Sequence, residues 1–544
     1  MQKMISTAIA SALATSLALA VPAHASAVAA ATVHEAPLRA HLQFLSSDVL
    51  EGRGTGQRGG DLTVAYLEAQ AMAAGLKPAN GNSYRQSVKI AGVKAVPQDS
   101  KVVLEAGGQA QALTLTFGKD WVWAPGDAKP VHAMDAEMVF VGYGISAPEL
   151  GWDDYKGIDC KGKVLVMMVN DPMPTAAEPE RFGGKGLTYY GRWTYKFEEA
   201  ARHGAAGVLL IHTDASASYG WSVVQNSWTA ERFQLAAGNT GTGMQGWMTE
   251  ATARALFKAA GHDLDALRAT AETTQFKPVA LGARVKGEAR AEVRLVEQFN
   301  VAGIVPGTDP KLKDEVVIYS AHWDHLGKQG SGADTIYNGA VDNASGSAGL
   351  LAMAQEAAKA PARRSQMFLW VAAEEQGLLG SAAYAASPLW PANKTAANLN
   401  LDSMNFVGAT RDIGTQGSER TELGAMAEAT AKAMGMKVAK PAPDLSGGYF
   451  RSDHFSFAKA GIPAFSIEGG HEYVQRSEAS AAMAKAYQAR YHQVTDEYDA
   501  SWDLSGMVQQ AQFTLNLGRM IANAPKMPAW KAGDAFGKVR AGGM

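Results

Sequence analysis

Cysteine is all but missing from this 544-residue chain. Cys160 stands alone, so no disulfide can form within the chain and no thiolate cluster can hold a metal. A surplus of charge of one sign is missing too. With a formal net charge of −3 and 19% charged residues, the chain lacks the basic excess that captures nucleic acid or an anionic membrane surface. Internal repeats and long low-complexity tracts are also absent, which excludes solenoids and arrays. What remains is a long chain with 47% hydrophobic residues, enough at roughly 150 residues per domain for two to four globular domains.

The N-terminus opens Met1-Gln-Lys3, runs through an Ala/Leu/Ser-rich apolar segment and reaches Ala23-His24-Ala25. A basic start, a short apolar stretch and an A-x-A site predict a signal peptide over residues 1–25. The segment falls short of the roughly 20 apolar residues a membrane span needs, so export to the periplasm or the medium is expected rather than a stable membrane anchor. Without disulfides, an exported protein of this kind relies on packing and metal.

Residues 38–76 show apolar positions at three- and four-residue intervals, a helical pattern interrupted by Glu51-Gly-Arg53-Gly-Thr-Gly-Gln-Arg58-Gly-Gly60. A dinucleotide loop must follow a strand, and this one follows a helical segment, so it reads as a glycine-rich connection. Residues 93–285 change texture to short β-type runs between Gly, Pro and Asp turns, with a helix near residues 197–204. They read as a separate β-rich domain whose tryptophans serve mainly as core. From Phe299 onward, strands and helices alternate as a parallel sheet requires. The expected division is residues 26–92 and 286–523 for the main domain, 93–285 for the inserted one, and 524–544 for a tail.

The strands of the main domain end in polar groups. Val316-Val-Ile-Tyr-Ser320 runs into His322-Trp-Asp324-His325, and Asp342 precedes an Ala-rich helical stretch. Glu374-Glu375 follows Val371-Ala-Ala373, Asp402 follows Leu401, and Tyr491-His492 precedes the last helix. An open α/β sheet gathers its C-terminal strand ends at one crevice, so two histidines and several carboxylates should meet there. Imidazole with carboxylate and no thiolate suits zinc with an open position, and a shared carboxylate would make a two-metal site. Two divalent ions, the carboxylates of Asp342, Glu375 and Asp402, and a shared hydroxide sum to neutrality. Glu374 is then left as a general base beside a ligand.

Four runs resemble the co-catalytic di-zinc aminopeptidase family, which also contains glutamate carboxypeptidases and transferrin-receptor-like proteins. They are Ser-Ala-His322-Trp-Asp324-His325-Leu-Gly, Asn338-Gly-Ala-Val-Asp342-Asn-Ala-Ser-Gly, Ala-Ala-Glu374-Glu375-Gln-Gly, and Leu-Asn-Leu-Asp402. Arg451-Ser-Asp453-His454, Gly461-Ile-Pro463 and Tyr491-His492 follow in the same order. The resemblance implies an α/β fold: a mostly parallel zinc-peptidase sheet with helices on both faces and an inserted β-rich protease-associated domain. It implies two zinc ions per chain, His322 and Asp402 on one, Glu375 and His492 on the other, with Asp342 bridging both, and a cis peptide between Asp342 and Asn343. It makes Glu374 the general base, Tyr491 a donor to the developing oxyanion, and Asp324 the group that orients His322. Arg451 and Asp453 fall on the substrate side, and His325 is expected to support the site rather than ligate.

The expected function is a secreted exopeptidase that removes residues from peptides and proteins with free N-termini. A carboxypeptidase would need cations for a terminal carboxylate, for which Arg451 alone speaks. A mono-zinc acyltransferase or a non-catalytic receptor-like protein would be expected to have lost ligands or the base, and all are present. The preferred N-terminal residue and the oligomeric state are not encoded in any of these patterns.

Overall fold

The computed structural model describes residues 31–106, 111–217, 219–236, 241–440, 443–475 and 477–542. The signal peptide expected over residues 1–25 lies outside the described residues. No helix among the described residues is long and apolar enough to cross a membrane.

Three strands of the main sheet, Val316–His322, Ser365–Val371 and Thr395–Leu401, are buried along their whole length. A strand with no exposed side on either face must be covered on both, and such runs read as continuous apolar sequence rather than alternation. Ser365–Val371, Val316–His322, Thr395–Leu401 and Ala464–Gly469 pair in that order, all parallel. The long strand Val279–Val305 then adds antiparallel to Ser365–Val371, and Arg85–Ala95 adds antiparallel to it. The result is the expected α/β architecture with a parallel centre. Two separate groups of helices cover it: Glu35–Leu45, Ser345–Lys359 and Ser505–Asn523 pack together, and Leu379–Ala386 packs with His454–Lys459. Parallel strands all point the same way, so the ends at His322, Val371 and Leu401 open onto one side.

A second sheet has its own cores. Val131–Phe140, Val164–Met168, Gly207–His212 and Met244–Thr249 run parallel where they pair, and Trp121–Ala124 closes one edge antiparallel. Val279–Val305 belongs to both sheets. Its first half pairs with Lys101–Ala106 and Val131–Phe140, and its second half with Arg85–Ala95. A boundary at residue 285 therefore falls inside one continuous strand, which mechanically couples the two units. Tyr189 packs against the cores of both. The tryptophans of the second unit mostly fill its core: Trp121, Trp123, Trp228 and Trp247 are buried. Trp193 is the one that reaches the cleft described below. Cys160 is buried and free.

The tail has more structure than its weak periodicity suggests. Phe536 packs into the main core, Trp530 Nε1 donates to Gly461 O, and Arg540 donates to Thr395 O, so it is held by anchor residues rather than by an amphipathic stripe.

Candidate metal centre

The strand Val316–His322 delivers His322 into a site where its side chain is 1% exposed. Its Nε2 lies 3.4 Å from Asp342 Oδ1 and 3.3 Å from Asp402 Oδ1. On the other side of Asp342, His492 Nε2 lies 3.1 Å from Asp342 Oδ2 and 3.1 Å from Glu375 Oε2. Asp342 thus faces one imidazole with each oxygen. Two clusters have ligand atoms within 4.8 Å of one another: His322, Asp342 and Asp402, and His325, Asp342 and Glu375. They share Asp342. The donors are imidazole nitrogens and carboxylate oxygens only, a set that fits zinc.

Several residues without an obvious sequence signal hold these groups in place. Asp496 is completely buried, and its two carboxylate oxygens accept from the N–H groups of Val341 and Asp342, both at 3.1 Å. The Asp342–Asn343 peptide is cis, and the Asn343 side chain bonds Leu401 O, Gly346 N and Ser403 N. That completely buried side chain cannot carry a glycan, although Asn343-Ala-Ser345 fits the acceptor pattern. A polar chain runs from Asn398 through Ser320, Asn400 and Ser452 to Asp402 Oδ2, the last link being 2.6 Å. Its last bond, from Ser452 Oγ, holds the Asp402 carboxylate on the side away from His322 Nε2, which faces Oδ1. Three non-glycine residues around the ligands adopt left-handed backbone: Ala373, Ser403 and His492, with φ of 54°, 55° and 57°. Strain of this kind gathers where loops must aim side chains at a site.

Asp324 does two jobs, one with each oxygen type. Its main-chain carbonyl lies 3.2 Å from His322 Nδ1, whereas its carboxylate is 3.8 Å from that nitrogen, beyond hydrogen-bond range. The carboxylate instead accepts from the N–H groups of Glu374 and Glu375, at 3.0 and 3.4 Å. The side chain therefore anchors the backbone that carries Glu374 and Glu375, and the backbone carbonyl orients the histidine. His325 is completely buried with Nδ1 2.6 Å from Glu375 Oε1 and its ring 5.6 Å from that of His492.

Glu374 lines a cleft of about 670 Å³ together with Asp342, Glu375, Asp402, Tyr491 and His492. Burial, reinforced by Asp402 and Glu375, holds its carboxyl well above the usual range despite His322 nearby. Burial acts the same way on Asp342, but hydrogen bonds from His322 and His492 outweigh it and keep that group ionised. Tyr491 is 45% exposed and stacks on His492, with ring centroids 3.9 Å apart. Arg451 lines the cleft and is exposed, with no side-chain hydrogen bond or ion pair to another described residue. Asp453 is completely buried, and burial pushes its carboxyl up to about 7. The second unit also reaches the cleft through Arg192, Trp193 and Glu198, the last paired to Lys459 of the main unit at 2.7 Å. No sequence pattern pointed to these three, because their place depends on how the two sheets meet. A larger open groove of about 1170 Å³ adjoins and shares Glu468, but neither ligand cluster borders it.

Residues 300–515 match the model of peptidase family M28. The chain is similar to a probable leucine aminopeptidase of Arthroderma otae, 32% identical over 174 residues, which is 31% of this chain and 46% of that protein. It is similar to leucine aminopeptidase 1 of Trichophyton equinum, 29% identical over 177 residues with the same coverage. The matched part thus spans less than half the length of these relatives. Among solved structures, an aminopeptidase from Aneurinibacillus sp. strain AM-1 is 20% identical with a TM-score of 0.47, covering 92% of this chain and 96% of that one. A zinc aminopeptidase from Bacillus subtilis is 17% identical with a TM-score of 0.41, covering 89% and 94%.

Proposed function

We propose that this chain, whose residues 300–515 match peptidase family M28, is a zinc-dependent aminopeptidase acting on peptides and proteins with free N-termini. One observation carries the reading: Asp342 stands between His322 with Asp402 on one side and His492 with Glu375 on the other, in a cleft that Glu374 also lines. On this reading His322 and Asp402 would hold one zinc, Glu375 and His492 the other, and Asp342 would serve both, with His325 holding Glu375 through its 2.6 Å hydrogen bond. When bound, the ions would lower the pKa of a shared water and polarise the scissile carbonyl. Glu374, a carboxyl lining the cleft next to Glu375, takes the proton from the attacking water and returns it to the leaving amine. Tyr491, exposed at the cleft beside His492, donates its hydroxyl hydrogen to the oxyanion. Asp324 keeps Glu374 and Glu375 in register from beneath, Asp453 lies buried beside the set, and Arg451 contacts the substrate.

A carboxypeptidase is the second reading, favoured by the presence of Arg192 beside Arg451 at the cleft, two cations able to hold a terminal carboxylate. A hydrolysis panel separates the two. Zinc-loaded protein should cleave free aminoacyl-peptides and spare their N-acetylated forms; cleavage of the blocked peptides alone would reverse the assignment. Two bound zincs without hydrolysis of either would leave a receptor-like protein. Export belongs to the same reading, and the protein recovered from its producing cells should then begin at Ser26.

A further inference from the structure

The glycine-rich stretch at residues 51–60 is the one sequence motif the proposed chemistry leaves without a task, and Arg53 lies within it. Its side chain is 1% exposed, about as buried as His322. Among the described residues no carboxylate is within ion-pair distance of it. Instead the guanidinium donates to four main-chain carbonyls: Nε to Trp323 O at 2.8 Å, Nη1 to Leu45 O at 2.5 Å and to Asn338 O at 2.6 Å, and Nη2 to Gly339 O at 2.9 Å.

These acceptors define the role. Trp323 sits between His322 and Asp324. Asn338 and Gly339 lead directly into the segment that carries Asp342. The planar fork therefore spans the two loops whose separation sets the distance between His322 and Asp342, and ties both to the end of the helix Glu35–Leu45. The same N-terminal segment grips those loops again: Asn338 Nδ2 donates to Ser46 O at 2.9 Å and to Asp48 Oδ1 at 2.8 Å, and His325 N–H points to Arg53 O at 3.4 Å. Gly52, with φ of 67°, lets the chain pass so close that a Cβ would meet Tyr337 O at 2.5 Å and Gly327 O at 2.6 Å. Burial pulls the guanidinium down to about 10, and Asp324, Asp496, Asp342 and Glu375 lie near enough to oppose that loss of charge in part. A cation fixed under a group of carboxylates offsets part of their mutual repulsion. Arg53 lies far upstream of residues 300–515, the part that matches the family model.

We propose that Arg53 is a positioning residue of the metal centre: it fixes the spacing of the His322 and Asp342 loops and so raises affinity for the ions, without touching ion or substrate. The inference rests on the two-metal reading above. Lysine cannot bond four carbonyls in a plane, so Arg53→Lys keeps the charge and removes the fork. Residues that orient metal ligands are typically worth 10–100-fold in metal affinity, and a loss of that size is expected for R53K in competition with a chromophoric chelator. The melting temperature of the metal-free protein, measured in chelator, reports folding separately. Arg53→Gln removes both charge and fork and should move zinc affinity in the same direction if R53K does not fold. A wild type that takes up two zincs alongside a folded R53K, or failing that R53Q, with unchanged zinc affinity overturns the role of Arg53 and leaves the metal site intact. A wild type that takes up no zinc overturns both. A weakened affinity with an unchanged metal-free melting temperature establishes the role.

Discussion

Replacing Glu374 by glutamine tests the proposed chemistry most directly, because its carboxylate stands outside both ligand clusters. The Glu374 carboxylate makes no hydrogen bond to another described residue, and its anchor to Asp324 is through its own backbone N–H. Glutamine has the same shape and leaves that anchor intact, so zinc content should be unchanged. A positioned general acid–base contributes about 10²–10⁴-fold, so kcat should fall by that factor, equivalent to about 3–5 kcal/mol at 1.36 kcal/mol per tenfold. Stability should move the other way. Glu374 sits among Asp402 and Glu375, and neutralising one of three crowded carboxyls removes repulsion, so metal-free E374Q should melt no lower than metal-free wild type. The assay is steady-state hydrolysis of an aminoacyl-anilide, with zinc measured by elemental analysis and melting followed with and without chelator. Retention of kcat within about tenfold would refute the base assignment, and loss of zinc would show that Glu374 is itself a ligand.

Chelation should abolish hydrolysis and lower the melting temperature, since ions at 100 times their dissociation constant add about 2.7 kcal/mol to the folded state; an unchanged melting temperature would argue against bound ions. Gly52→Ala should destabilise, because left-handed backbone alone costs a Cβ-bearing residue about 1–2 kcal/mol and the two carbonyls at 2.5 and 2.6 Å add a clash; a melting temperature equal to wild type would contradict the close approach. His41, packed against Tyr66 and Gln355, is pushed down by burial to about 4 from its ordinary 6.5. The unfolded chain thus binds the extra proton between pH 6.5 and 4, so the stability associated with neutral His41 is full above pH 6.5 and declines as pH falls, by about 3 kcal/mol at pH 4. Urea midpoints of wild type and His41→Gln compared over that range should converge toward acid pH, and parallel curves would refute the shift.

Much of the metal centre is legible in one dimension because a parallel sheet converts sequence order into spatial convergence. His322, Val371 and Leu401 end three buried strands that point the same way, so the polar residues after each must meet. Their apolar runs announce the strands, and the abrupt polar residues announce the ends. Tertiary structure alone decided the rest. The sequence around Asp324 suggests a carboxylate behind a histidine, yet in the fold that carboxylate accepts from the Glu374 and Glu375 backbone and the main-chain carbonyl faces His322. Asp496 belongs to none of the quoted motifs, and Ser452 lies in the run Arg451-Ser-Asp453 with nothing there to show its partner, since both act on groups reached only through the fold. Trp193 and Arg192 join the cleft from the second unit, more than a hundred residues before the first proposed ligand in sequence, and only the fold brings them there. Arg53 reads as punctuation in a glycine-rich turn, and only folding brings it beneath loops some 270 residues later. Local pattern specifies which side chains are offered at a strand end; which oxygen, which rotamer and which distant cation hold them there depends on contacts that no periodicity records.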